Sequence, residues 1–156
     1  SDLVDGIAMG PVTQSDLEEY AKFAKIPFVA KGVLSLQDAA KAKQAGCSAI
    51  VVSHHHGRIP FGIPPVMILP DIKNEISGME IFVDCSIDTG YDAYKALALG
   101  ADAVSVGRGI LSPLLKEGES GVIEKINKMN EELSELMMYT GVKDTNSFDP
   151  SVLYIR

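Results

Sequence analysis

Four short apolar runs, at residues 28–31, 49–53, 80–84 and 103–106, limit what this chain can fold into more than any other feature. Each is rich in Val, Ile, Phe and Ala, and each is continuous. A strand with one wet face alternates apolar and polar residues, whereas a strand covered on both faces of a parallel sheet reads as an unbroken run. A loop and a helical pattern follow each run, which is the repeating unit of a parallel βα architecture.

The helices carry their own punctuation. Residues 36–45 are rich in Ala and Lys and stop at Gly46, while residues 92–99 follow Thr89-Gly90 and stop at Gly100. Glycine suits the left-handed residue that closes a helix. The stretches 46–53 and 100–107 repeat one order of helix stop, short turn and buried strand. Upstream, Thr13, Ser15 and Asp16 offer N-caps for a helix reaching about Lys25, and Pro27 opens the first strand. Downstream, Val122, Ile126, Met129, Leu133, Leu136 and Met137 mark a long amphipathic helix from near Ser120 to Gly141. Residues 142–156 read as a loop with a short apolar anchor, and residues 1–12 have no clear assignment.

The expected fold class is therefore α/β: parallel βα units of a TIM (βα)8 barrel, about half a barrel of four strands plus a long C-terminal helix, in a single domain over residues 1–156. A whole barrel takes about 250 residues. Half a barrel leaves two edge strands and an uncovered apolar face, so a homo-oligomer, or association with a missing N-terminal half, is expected.

Composition narrows the function classes. Fourteen Lys and Arg against 21 Asp and Glu give a net charge of −7, which excludes the basic field that holds a nucleic-acid backbone. No apolar run approaches the roughly 20 residues of a membrane span, and the first residues do not form a signal-like segment, so the expected location is cytoplasmic. Cys47 and Cys85 lack metal or redox spacing; both are expected to be reduced, with Cys47 a small core residue.

In a βα barrel the reactive groups stand at the C-terminal strand ends. Here these are Lys31, residues 53–58, residues 84–88 and Gly107-Arg108. Ala30-Lys31-Gly32-Val33, Val51-Val52-Ser53-His54-His55-His56-Gly57-Arg58, Lys95-Ala96-Leu97-Ala98-Leu99-Gly100-Ala101 and Val106-Gly107-Arg108 follow one another in an order and spacing that resembles the FMN-dependent 2-hydroxy-acid oxidase and dehydrogenase family. The resemblance runs from about Thr13 to Leu153, includes Gly118-Glu119-Ser120-Gly121-Val122, and covers the family's C-terminal half. The histidine three residues before an arginine is its most specific motif. The 95–101 segment and the Gly-Arg turn also occur in IMP dehydrogenases and type 2 isopentenyl-diphosphate isomerases.

The resemblance implies FMN as cofactor, with Lys31, Ser53, Asp84, Gly107 and Arg108 around it. Lys31 would lie against the flavin N1 and C2 carbonyl, Asp84 near the ribityl chain, and Gly107 and Arg108 at the phosphate. His55 would be the base that removes the hydroxyl proton of a small 2-hydroxy acid while hydride passes from its alpha carbon to flavin N5, and Arg58 would grip the carboxylate. A solvated strand-end lysine and a polar histidine loop are the plain alternatives. A metal site would need carboxylate or cysteine help that three consecutive histidines lack.

The sequence also departs from the family's pattern. Where the family has Asp-Gly-Gly-Ile-Arg, this chain has Asp84-Cys85-Ser86-Ile87-Asp88, so two glycines are lost and a phosphate-binding arginine becomes acidic. Asp88 would repel a phosphate, or would instead cap the following helix. His56 replaces a glycine, and Ile59-Pro60-Phe61 stands where the family usually has an aspartate. The family takes a tyrosine, a second arginine and an aspartate from the half absent here, so the isolated chain is expected to be inactive. The competing readings are a degenerate non-catalytic half-barrel scaffold or interaction protein, and another phosphate-ligand-binding barrel.

Overall fold

The computed structural model describes residues 10–154 and, ahead of them, the backbone of β1 (Leu3–Val4) and β2 (Ile7–Ala8), which pair antiparallel. The remaining residues of the unassigned stretch, 1, 2, 5, 6 and 9, and the tail residues 155 and 156 lie outside the described residues.

Helix α1 (Gln14–Phe23) starts where Thr13 and Asp16 form a capping box, each side chain bonded to the other's backbone. It ends two residues before the expected Lys25, and β3 (Val29–Val33) begins two after Pro27. Three βα units follow: α2 (Leu36–Gln44), β4 (Ala49–Val52), α3 (Pro65–Glu75), β5 (Glu80–Val83), α4 (Gly90–Ala98) and β6 (Ala103–Val104). The four long-range strands form one parallel sheet in the order β3-β4-β5-β6.

The register gives the sheet two unlike faces. Ala30, Ile50 and Ile81 lie in one row and Val33, Val52 and Val83 in another, all buried under the helices with Leu69 and Ile72. The opposite row, Lys31, Val51, Phe82 and Ala103, is exposed at its two ends and half-buried between. Among the described residues this face is uncovered and the outer edge of β3 unpaired, as an open, partial barrel presents them.

Residues 108–140 are helical except at Gly118, whose φ of 62° and ψ of −142° break α5 (Arg108–Thr140) into two helices. The second begins near the expected Ser120; the first, residues 108–117, was not anticipated from sequence. Gly90 lets α4 lie against the second helix: an added Cβ would stand 2.0 Å from the Met129 carbonyl oxygen and 2.6 Å from the Leu133 nitrogen. A second core forms behind this crossing, where Tyr94 meets Phe148 edge to face at 5.3 Å and donates a hydrogen bond to Thr140 Oγ1 at 2.7 Å. Leu153, after the short 3-10 turn Pro150–Val152, packs here and is the tail's apolar anchor. Cys47 is buried in the main core as expected. Among the described residues no helix is long and apolar enough to cross a membrane.

Candidate functional site

The C-terminal ends of all four parallel strands open into one cleft of about 820 Å³. Lys31, His55, Arg58, Asp84, Gly107 and Arg108 line it together, with Cys85, Ser86 and Asp88. Ser53 does not line the cleft; it is fully buried directly beneath it. The residues singled out in the sequence are thus brought to one place by chain segments up to 77 positions apart, from Lys31 to Arg108.

At the β3 and β5 end, Lys31 Nζ is ion-paired with Asp84 Oδ2 and donates to Ser53 Oγ at 3.2 Å. The Cys85 thiol donates to Asp84 Oδ1 at 2.9 Å. Burial acts to raise the Asp84 pKa, but hydrogen bonds from Cys85, Lys31 and Ser53 and the charge of Lys31 outweigh it and hold the carboxyl below its usual range. The same contacts push the Cys85 thiol up, through burial first and its bond to Asp84 second, so it stands as a neutral donor.

The loop after β4 turns sharply. His55, His56 and Gly57 all have left-handed backbones, with φ of 49°, 62° and 81°. Such a conformation costs a non-glycine residue roughly 1–2 kcal/mol, so contacts around it must hold it. Two are visible: the His55 N–H donates to Ser53 Oγ at 3.1 Å, and the Gly57 N–H donates to His54 Nδ1 at 2.9 Å. His55 and His56 face the cleft, whereas His54 lines a separate apolar cavity of about 450 Å³ with Pro64, Pro65 and Leu153. The three histidines therefore diverge, and among the described residues no three potential ligands are grouped to hold a metal ion.

At the β6 end, Gly107 precedes the first helix of α5 and no side chain caps it. An added Cβ at Gly107 would meet nothing within 4 Å. Uncapped N–H groups with an arginine beside them are a general anion-binding arrangement. Asp88 does not cap α4; Thr89 does, in a capping box with Asp92. The Asp88 carboxylate points instead toward α5, where an added Cβ on Gly109 would come 2.6 Å from its Oδ1, and Lys125 donates to its backbone carbonyl.

Three features escaped sequence reasoning. Cys85 registered only as a lost glycine, not as a donor to Asp84. Lys125 gave no signal, being one of several lysines on a helix. Gly32 offered one: an isolated glycine inside a strand points to a bulge or a close approach. The β3–β4 ladder does slip between Lys31 and Val33, and the His55 ring lies over Gly32.

The chain is similar in sequence and structure to several known proteins. The chain is 38% identical to an L-lactate oxidase from Nostoc over 92% of its own length and 40% of the relative's. It is 35% identical to human 2-hydroxyacid oxidase 1 over 91% of its length and 39% of that protein. A mandelate oxidase structure with benzoyl-formic acid superposes with a TM-score of 0.85 at 32% identity, covering 94% of this chain and 48% of that one. A flavocytochrome b2 variant with pyruvate bound gives 0.84 at 34% identity, covering 88% and 37%. The chain thus spans about 40% of the length of the curated relatives it matches. Its open sheet superposes on part of those two structures. The family described as FMN-dependent dehydrogenase matches residues 2–155, nearly the whole sequence, and the chain belongs to that family.

Proposed function

We propose that this chain carries the catalytic and phosphate-side half of an FMN-dependent 2-hydroxy-acid oxidase or dehydrogenase. The carrying observation is the convergence of Lys31, His55, Arg58, Asp84, Gly107 and Arg108 on one cleft at the strand ends. FMN is the cofactor of the family, and the donors here fit it at both ends. Lys31 and Asp84, with Ser53 buried beneath and bonded to Lys31, would hold the ring and ribityl portions, and Gly107, Arg108 and the uncapped start of α5 the phosphate. Asp88 is the discordant group, because its carboxylate reaches the first turn of α5, where it opposes a second anion.

When bound, FMN supplies the acceptor for the two electrons removed from the alpha carbon. The chain's own residues do the rest. His55 accepts the hydroxyl proton of the 2-hydroxy acid, a task an imidazole performs near neutral pH. Arg58 pairs with the substrate carboxylate and sets which face of the alpha carbon is presented. The Lys31 ammonium, fixed by Asp84 and Ser53, favours negative charge developing beside it.

The open row Lys31, Val51, Phe82 and Ala103 and the free edge of β3 support reading the chain as one half of a flavin barrel, completed by further polypeptide or by a second copy. The test is to load the full natural polypeptide with FMN, remove the excess, and mix it anaerobically with lactate, glycolate or mandelate. Bleaching of the flavin by a 2-hydroxy acid supports the reading. Protein that retains no flavin at any concentration favours the non-catalytic scaffold, for which Asp88 is the observation.

A further inference from the structure

We propose that Gly32 is the positioning residue that sets where the His55 imidazole stands, and that it does so by having no side chain. This rests on the reading of His55 as the base, but it concerns the position of a ring, which is measurable without turnover.

Three observations meet at this point. A Cβ built on Gly32 would lie 2.3 Å from His55 Nε2 and 2.9 Å from its Cε1, distances no real side chain tolerates. The Nε2 edge of the ring is therefore seated against Gly32. Second, Gly32 is the extra residue where the ladder slips between Lys31 and Val33, and its φ of +99° is one that side-chain-bearing residues rarely adopt. Third, the backbone of His55 is tied to the buried frame. Its N–H is bonded to Ser53 Oγ, and Ser53 is fully buried and bonded in turn to Lys31. With the backbone anchored on one side, the surface of Gly32 on the other decides the side-chain torsions of His55.

A methyl group at position 32 would drive the ring outward into the open cleft, away from the place it occupies over Gly32. The backbone strain of such a substitution has its own control. Gly46 is left-handed too, at φ +86°, but an added Cβ there meets only Ala21 Cβ, at an ordinary 3.9 Å. Gly46→Ala thus bears comparable strain without touching His55.

The experiment uses the full natural polypeptide with its histidine rings isotopically labelled, the His55 signals being assigned by their loss in His55→Gln. In the unsubstituted protein a proton–proton Overhauser contact between the Gly32 α-protons and the His55 ring is expected. Gly32→Ala should move the His55 ring resonances and raise the rate of its modification by diethylpyrocarbonate several-fold, while Gly46→Ala leaves both unchanged. Absence of the Overhauser contact overturns the proposal even if Gly32→Ala fails to fold. So does a Gly32→Ala protein whose His55 signals and modification rate match those of Gly46→Ala. A contact that is present in a protein which never reduces flavin leaves Gly32 as the seat of the ring and sinks only the reading of His55 as base.

Discussion

The ammonium of Lys31 and the carboxylate of Asp84 are paired across the end of β4, joining β3 to β5, two strands that are not neighbours in the sheet. Because its contacts outweigh burial, folded Asp84 titrates below the ordinary 3.8. The folded state therefore binds this proton less readily than the unfolded state. The pair contributes stability in full above that ordinary value, and the contribution is lost as pH falls through it toward the lower folded value. Thermal unfolding between about pH 6 and pH 3 should show a steeper acid decline for the natural protein than for Asp84→Asn. Identical slopes would mean the pair contributes nothing to folding.

Asp88 makes a sharper prediction about charge. Replacing it with asparagine removes a carboxylate from the first turn of α5 and should tighten FMN binding about tenfold or more, a change of about 1.4 kcal/mol. Riboflavin, which lacks the phosphate, should bind the two proteins equally. Fluorescence titration with both ligands measures this, and an equal gain for riboflavin would place the effect somewhere other than the phosphate.

For His55, substitution by glutamine should lower the rate of flavin reduction by a 2-hydroxy acid by about 10²–10⁴-fold while leaving flavin retention intact. Stopped-flow bleaching read beside the visible spectrum separates the two effects. Arg58→Lys should act on binding instead, raising KM about tenfold because one ammonium cannot reproduce the forked contact with a carboxylate.

The crossing of α4 and α5 predicts a stability effect remote from the cleft. At Gly90 an added methyl would overlap the Met129 carbonyl oxygen, so Gly90→Ala should cost about 3 kcal/mol, visible as a lowered Tm. A neutral result would show that the two helices can separate at no cost.

The apolar runs made the strands and their parallel arrangement legible, because a strand of a whole barrel is covered on both faces and reads as an unbroken run, although one face is open here. The site was legible as a set of strand ends, since chain order and the βα rule together say which ends share a side. What the residues could not tell was where local signals conflict with packing. Residues 108–117 form a helix although Pro113 lies inside it and Gly109 near its start. Pro70 likewise lies inside α3, which had no expected bounds. At Asp88, local rules offered a cap for α4, but Thr89 fills that role with Asp92 and the carboxylate is left to face α5. The seat of His55 on Gly32 needed the bulge, and a bulge is a relation between two strands rather than a property of one.

Cys85 and Ser86 hold φ of 71° and 60°, the left-handed geometry that two glycines would adopt without strain. The outline of this turn is therefore imposed by its frame, by β5 before it and the capped start of α4 after it. A turn shaped from outside can exchange its residues and keep its path. In this chain the exchange has placed a thiol and a hydroxyl on the wall of the cleft, where glycine would offer only backbone. Segment 84–88 thus sets what this wall of the cleft presents, while β5 and α4 hold the frame on either side.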